Sequence, residues 1–207
     1  MTEPRAHPGL ELSPGPGALT AAGLGSLATA ALAGWSDLLM VVGGHVVPGW
    51  GASAVVLGLA LVLWWIFLRA ARREAALRLA GTPAGWVRPV SHVLIVVAVS
   101  GIAWGALADL TWTARYHVLR PTGPGGCTVV VRESTFLQAS GGQAYAVGRS
   151  GLALGEAGSW TVDDGYRPVE RGTYELTWRR DGGRLDIEGM RTDPVMSGGG
   201  ADIDCWW

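Results

Sequence analysis

Lysine and asparagine are absent from the 207-residue sequence, and only two cysteines and four histidines are present. The absence of lysine excludes lysine-dependent covalent catalysis, and the absence of asparagine excludes N-linked glycosylation. The histidines stand at positions 7, 45, 92 and 117, without the spacing of metal ligands. Because no histidine follows position 117, we expect no Ser-His-Asp or Cys-His site in the C-terminal part of the chain.

Sequence motifs of common enzyme classes are also missing. The chain has no Gly-x-Ser-x-Gly elbow, no P-loop and no dinucleotide fingerprint. Its C-terminal carboxylates mostly alternate with arginine or stand in turns, where aspartate is common for conformational reasons. We therefore expect no enzymatic activity and no catalytic, cofactor-binding or metal-binding residues.

Two long apolar runs, residues 51–68 and 90–110, dominate the first half of the chain. About 20 apolar residues cross a bilayer core of ~30 Å at ~1.5 Å per residue, so both runs are long enough. Residues 52–68 contain no charge, and tryptophans stand near the ends of both runs, as is typical of membrane interfaces. The pattern predicts two transmembrane helices, the first of which continues to about residue 80.

Five arginines lie between the two runs, in the segment 69–89. They are Arg69, Arg72, Arg73, Arg78 and Arg88. Arginine-rich loops stay in the cytoplasm, so this segment is predicted to be cytoplasmic and residues 111–207 extracytoplasmic. The expected location is the plasma membrane, in a multi-pass arrangement.

The first 50 residues admit more than one interpretation. Residues 1–17 are rich in proline and glycine and are predicted to form a disordered tail. Residues 18–47 are weakly apolar and are predicted to form a third transmembrane helix. The alternatives are a signal peptide cleaved near residues 31–33, which leaves two spans, or an interfacial or re-entrant helix.

Asp37 and His45 are the polar residues of interest in this predicted first helix. A carboxylate within a membrane is costly and should face protein or water. Eight positions separate the two residues, which places them on one face of a continuous helix. They are therefore candidates for a proton or cation relay. If the helix ends near residue 36 instead, Asp37 lies at its boundary.

Small residues recur at four-residue spacing in the predicted helices. Ala22, Ser26, Ala30 and Gly34 form one such row, and Gly101 and Gly105 form a GxxxG pair. Small side chains allow membrane helices to approach closely. The rows predict packing within a three-helix bundle, with homo-oligomerisation as the alternative.

The C-terminal part of the chain has the pattern of an antiparallel β domain. After a predicted stem at 111–126, residues 127–207 alternate apolar and polar side chains between frequent turns. The clearest hairpin covers residues 172–190, and a second hairpin is expected with its turn at Gly141 and Gly142. We expect about six strands in a small β sandwich or barrel. The fold class is thus a membrane α-helical anchor followed by an all-β domain.

Cys127 and Cys205 stand near the two ends of this domain. Both fall in the segment that the arginines place in an oxidising compartment, so a disulfide is expected. Closing a loop of this length contributes about 4 kcal/mol in the chain-entropy description.

Two function classes follow from the sequence. The first is a membrane protein that displays a disulfide-closed β domain for binding at the cell envelope. The alternative is a membrane-embedded transport activity or an accessory subunit of a membrane complex. The expected partners are the lipid bilayer and a membrane or envelope protein or a second copy of this chain. Residues 111–207 carry ten arginines and twelve acidic residues, so nucleic acid is not expected as a partner.

Overall fold

The computed structural model describes residues 16–75, 85–187 and 195–205. Most of the predicted tail 1–17, Arg78 and the middle of the 69–89 segment lie outside these residues. Three long helices are described: α1 at Pro16–Trp35, α2 at Gly49–Ala75 and α3 at Val87–Thr111. By length and composition alone, Gly49–Ile66 and Val87–Thr111 could cross a membrane, whereas the apolar part of α1, Ala21–Trp35, is shorter.

The three helices pack through the small residues that the sequence pattern singles out. A Cβ added to Gly101 in α3 would lie 3.0 Å from the carbonyl carbon of Gly34 in α1. A Cβ on Gly105 would lie 2.8 Å from the Cβ of Trp50 at the start of α2. The hydroxyl of Ser53 donates a hydrogen bond of 2.6 Å to the carbonyl of Ala30. At these close approaches, the rows of small residues pack helices of the same chain against one another.

The segment between α1 and α2 is a β hairpin, which corrects the prediction of one helix over 18–47. Its strands are β1 at Leu39–Val42 and β2 at His45–Pro48. Gly43 and Gly44 both have positive φ, +58° and +82°, as a two-residue hairpin turn requires. β-branched residues on both sides of these glycines favour strand over helix.

Nine further strands lie in the C-terminal part, with a short helix, α4, at Pro168–Arg171. The strands are β3 at Arg115–Val118, β4 at Thr128–Phe136, β5 at Ala139–Val147, β6 at Leu152–Ala153, β7 at Glu156–Val162, β8 at Glu175–Arg179, β9 at Gly182–Asp186, β10 at Val195–Gly198 and β11 at Gly200–Ile203. They form a five-stranded sheet, β10-β7-β5-β4-β3, and two three-stranded sheets, β11-β9-β8 and β2-β1-β6. Every described strand pair is antiparallel, and no sheet of the described residues closes into a barrel.

The five-stranded sheet has buried side chains on both faces of its strands β4 and β5. On one face, Val129 and Val131 of β4 belong to a core shared with Leu185 of β9 and Ile203 of β11. On the opposite face, Val130 and its neighbours pack with Leu39 of the hairpin. The hairpin is thus part of the β domain, because β1 also pairs with β6.

The predicted stem, 111–126, is not a separate connection. Its residues 115–118 form β3, which pairs with β4 along its whole length. His117 therefore belongs to the folded sheet, so the β domain does contain a histidine, contrary to the premise taken from the predicted stem. The chain reaches this sheet within four residues of the end of α3, so the β domain lies directly on the helix ends.

Two sequence predictions for the β domain have clear outcomes. Cys127 and Cys205 form a disulfide, with their Cα atoms 5.8 Å apart. The hairpin within 172–190 is present as β8 and β9, with Leu176 opposite Leu185. The estimate of about six strands was too low, because it omitted β3, the β1–β2 hairpin and several short strands.

Candidate functional site

Asp109, near the C-terminal end of α3, joins the helices to the β domain. Its Oδ2 atom accepts hydrogen bonds from the indole of Trp50 at 2.8 Å and from the hydroxyl of Tyr116 at 3.0 Å. Its Oδ1 atom accepts from Nε and Nη2 of Arg132, at 3.1 and 2.7 Å. We refer to Asp109, Trp50, Tyr116 and Arg132 as the Asp109 cluster. It connects α2, α3, β3 and β4 through one carboxylate.

Arg132 extends the Asp109 cluster across the sheet. Its Nη1 donates to the side-chain oxygen of Gln143 at 2.9 Å, and the Gln143 amide donates to Glu156 at 2.7 Å. Burial lowers the pKa of Arg132, but hydrogen bonding to Asp109 and nearby negative charge outweigh it, so the pKa is raised. Arg132 is therefore a permanent cation, whose Nε and Nη2 donate to Asp109 and whose Nη1 donates to Gln143.

Tyr116 stays protonated in the same surroundings. Burial is the largest cause that raises its pKa above the usual range, followed by the charge of Asp109, while Arg132 acts in the opposite direction. A protonated hydroxyl is the form that donates to Asp109, so the hydrogen-bond arrangement is stable over the physiological pH range.

A cavity of about 320 Å³ lies where the helix ends meet this face of the sheet. We call it the junction cavity. Its aromatic walls are Trp35, Trp50, Trp104, Tyr116 and Tyr145, and its charged or amide side chains are Asp37, Asp109, Arg132 and Gln143. Both the helices and the β domain contribute, so neither part of the molecule forms this cavity alone.

Asp37 lines the junction cavity just beyond the end of α1, which is the alternative placement that the sequence left open. It follows the end of α1, is exposed, and has no recorded hydrogen bond or ion pair within the described residues. The charge of Asp37 affects the pKa of Tyr145. Burial is the main cause that raises this pKa to about 12, and the carboxylates of Asp37, Glu156 and Asp109 raise it further, whereas Arg132 lowers it.

His45 lies elsewhere, so the predicted pairing with Asp37 on one helix face is wrong. It is exposed on β2 and borders a separate groove with Tyr116, His117 and Val118 of β3. The physical reason is that α1 ends at Trp35, before both residues, and the chain then turns into a hairpin.

The described arginines of the 69–89 segment lie at the opposite end of the helices. The guanidinium carbon of Arg69 stacks 3.7 Å from the centroid of the Trp65 ring. Arg72 and Arg73 fall within the last turns of α2, and Arg88 is exposed in the first turn of α3. Neither Arg69 nor Arg88, the two whose side chains the structure describes, lines the junction cavity.

A second polar group lies on the other face of the sheet. Ligand atoms of His117, Glu133 and Glu170 lie within 4.8 Å of one another, an arrangement that could hold a metal ion. His117 Nε2 is 3.6 Å from Glu133 Oε2 and is buried without a hydrogen-bond partner. However, Glu170 already pairs with two arginines, Arg115 and Arg167, whose charges disfavour an added cation.

Glu133 has a structural role that is independent of any metal. Its carboxylate accepts hydrogen bonds from the backbone amides of Val169 and Glu170, at 2.8 and 2.9 Å, and so stabilises the first turn of α4. Burial raises its pKa, although these two amides and the charges of His117 and Arg167 act in the opposite direction. The group of His117, Glu133 and Glu170 therefore fits a fold-stabilising role better than a metal site.

Sequence analysis did not identify Asp109 and Arg132 as site residues. Asp109 has the appearance of a boundary residue at the end of an apolar run, and Arg132 resembles the solvent-facing arginines of the other strands. The useful signal was the run of valines at 129–131, which is apolar at successive positions and so predicts burial on both faces of β4. An arginine that continues such a strand requires a buried partner.

Comparisons of the chain with known protein families, with curated proteins and with solved structures find no match.

Proposed function

We propose that this chain is a multi-pass membrane protein that binds a ligand at the extracytoplasmic surface of the plasma membrane. The junction cavity is its proposed ligand site. In this proposal α1, α2 and α3 are three membrane spans, and the sheets form a small β sandwich outside the cytoplasm. The junction cavity is the main observation behind the proposal. Helix ends and β sheet form this cavity together, and the hydrogen bonds of the Asp109 cluster fix its geometry.

The connectivity supports this topology. The end of α1, the start of α2 and the end of α3 all lie on the side of the β domain, since the hairpin and β3 follow them directly. The arginine-rich end of α2 and the start of α3 lie on the opposite side. A cytoplasmic location of the arginines then places the β domain, with its disulfide, in an oxidising compartment.

The positions of the tryptophans support a membrane that surrounds the three helices. Trp64, Trp65 and Trp86 stand near the arginine end, whereas Trp35, Trp50 and Trp104 stand near the β domain. At ~1.5 Å per residue, Trp86 and Trp104 are about 27 Å apart along α3, close to the ~30 Å thickness of a hydrocarbon core. Large apolar side chains between these levels, such as Leu59, Val93 and Val96, are exposed as lipid contact requires.

A transport activity has less support. The sequence argument for it rested on Asp37 and His45 within one helix, and both residues lie beyond the end of α1. An accessory role in a membrane complex is compatible with a binding module, because the bound partner would then be another subunit.

Single-cysteine labelling tests the topology. The described cysteines are both in the disulfide, so one added thiol gives an unambiguous signal. Gly85→Cys, at an open position near the arginine end, should resist an impermeant maleimide in intact cells and react after permeabilisation. Ser150→Cys, on an exposed turn of the β domain, should react in intact cells. Labelling of Gly85→Cys alone in intact cells would reverse the proposed orientation.

A cavity-filling substitution tests the binding function. Ser36 is exposed on the cavity wall, and Ser36→Trp should occupy the space without removing a buried contact. Native mass spectrometry of the purified protein should show a retained small molecule or lipid on the wild type and on the control Ser150→Trp, but not on Ser36→Trp. Equal retention by all three proteins would refute the junction cavity as the ligand site.

A further inference from the structure

We infer that the ligand of the junction cavity is an organic ammonium group, supplied by an aminophospholipid headgroup or by a free amine. This inference rests on the proposed binding function and specifies its ligand class. It follows from three independent properties of the cavity: its charge, the orientation of its helix ends and the chemistry of its walls.

Among the residues that the structure describes, the cavity wall has one unneutralised charge, and it is negative. The charged residues on the wall are Asp37, Asp109 and Arg132. Asp109 and Arg132 neutralise each other through two hydrogen bonds, and the remaining donors and acceptors of that pair are directed to Trp50, Tyr116 and Gln143. Asp37 has no such partner among the described residues. A cation entering the cavity would therefore pair with Asp37.

The helix ends favour the same sign of charge. The C-terminal residues of α1 and of α3 both line the cavity, and helix C-termini carry partial negative charge. Only α2 presents its N-terminus. The carbonyl oxygens of Ala33, Ser36 and Leu38 converge beside Gly49, within 2.8 to 3.0 Å of the position that a Cβ would take. This concentration of carbonyl oxygens requires glycine at position 49.

The aromatic walls select an organic cation over a hydrated metal ion. Trp and Tyr rings attract ammonium groups through their faces and tolerate the carbon substituents of such groups. Two of the indoles are held in place by hydrogen bonds: Trp50 to Asp109, and Trp35 to the carbonyl of Val97 at 3.0 Å. The volume of about 320 Å³ is at the lower end of small-molecule sites, which suits one headgroup-sized ligand.

The position of the cavity suits a lipid headgroup. Trp35 and Trp104 are largely exposed, at 59% and 67%, and lie near the ends of apolar helices where headgroups would be found. The cavity is thus open at the proposed membrane surface. A headgroup could enter it while its acyl chains remain among the exposed apolar side chains of α2 and α3.

Calorimetric titration of the protein in nanodiscs of phosphatidylglycerol alone tests the ligand class. The probes are choline, ethanolamine and the uncharged choline isostere 3,3-dimethylbutan-1-ol. Choline and ethanolamine should bind the wild type, and the isostere should bind at least about tenfold more weakly. Asp37→Asn should weaken choline binding by about tenfold or more. Asp164→Asn is the matched control: it removes an exposed carboxylate at a positive-φ position that asparagine tolerates, and binding should not change.

Addition of phosphatidylethanolamine to the nanodiscs distinguishes the two sources. If the headgroup is the natural ligand, the apparent affinity for free ethanolamine should fall as this lipid is added; an unchanged affinity identifies a free amine. Equal binding of the isostere, or no effect of Asp37→Asn, overturns the ammonium inference and leaves the binding function intact. Absence of probe binding to the wild type, or unchanged probe binding to Ser36→Trp, also overturns the ammonium inference alone. The binding function itself fails only if wild type, Ser36→Trp and Ser150→Trp retain the same ligand equally in native mass spectrometry.

Discussion

Arg132 and Glu133 are neighbours in β4, yet they lie on opposite faces of the same sheet and balance their charges in different ways. Arg132 pairs with Asp109, a residue of α3, and so connects the β domain to the helices. Glu133 binds backbone amides of α4, within the β domain. The first charge is balanced by an opposite charge and the second by backbone dipoles. One face of the sheet thus joins two regions of the molecule, whereas the other stabilises a single region.

The largest effect is expected from breaking the ion pair at the junction. Asp109→Ala removes the acceptor of three side chains and leaves Arg132 partly buried without a counter-charge. We expect a loss of about 3 kcal/mol in the free energy of unfolding, measured by urea denaturation in detergent. Hydrogen exchange should increase in the β1–β2 hairpin, which packs beside the cluster.

Asp202→Ala provides a control for the loss of an ion pair. The Asp202 side chain is 85% exposed and pairs with Arg184 on the surface. Such pairs contribute little, so the free energy of unfolding should change by less than about 1 kcal/mol. If Asp109→Ala were as mild as this control, the Asp109 cluster would not hold the two regions together.

A smaller effect is expected on the opposite face. Glu133→Ala removes two charge-assisted hydrogen bonds to backbone amides, and we expect a loss of about 2 kcal/mol in the same measurement. The loss is smaller than for Asp109→Ala because burial of the Glu133 carboxylate is itself unfavourable, as its raised pKa indicates. Hydrogen exchange should increase at Val169 and Glu170, with the hairpin unaffected. Increased exchange in the hairpin instead would show that the two faces are not independent.

The smallest effect is a difference in pH dependence. Because the pKa of Glu133 is raised in the folded state, this state binds the proton more tightly than the unfolded chain, for which the ordinary value is about 4.5. The contribution of Glu133 to stability is therefore greatest at low pH and declines as pH rises above about 4.5 through the folded-state pKa. Glu133→Gln should lack this decline, so the difference in melting temperature between wild type and variant should change across pH 4 to 7. A constant difference would contradict the raised pKa.

The local sequence patterns that proved reliable were those whose cause is short-range. The apolar runs predicted α2 and α3, and alternation with a turn predicted the β8–β9 hairpin. Both of these inferences depend on near neighbours in the chain, so a single sequence was sufficient. The disulfide between Cys127 and Cys205, 78 residues apart, was instead predicted because both cysteines fall in the segment expected to lie in an oxidising compartment.

The failures concern segments whose environment is decided by distant residues. Residues 39–48 are as apolar as a helix end, and they become strands because β6 and the sheet face pair with them. The segment 115–118 resembles a connection and becomes β3 through pairing with β4. Gly141 and Gly142 resemble a turn but lie inside β5, where the ring of Trp160 packs so closely on Gly142 that no Cβ fits.

The sequence by itself determined the long apolar helices, the arginine-rich segment between them, the antiparallel β character of the C-terminal part and its disulfide, because these follow from composition, periodicity and residue pairing. Only the tertiary structure decided that Asp109 pairs with Arg132, that Asp37 is separated from His45, and that helix ends and sheet enclose a cavity. These features require residues far apart in the chain to meet, and the free energy that brings them together comes from burying both faces of one sheet, which no local pattern records.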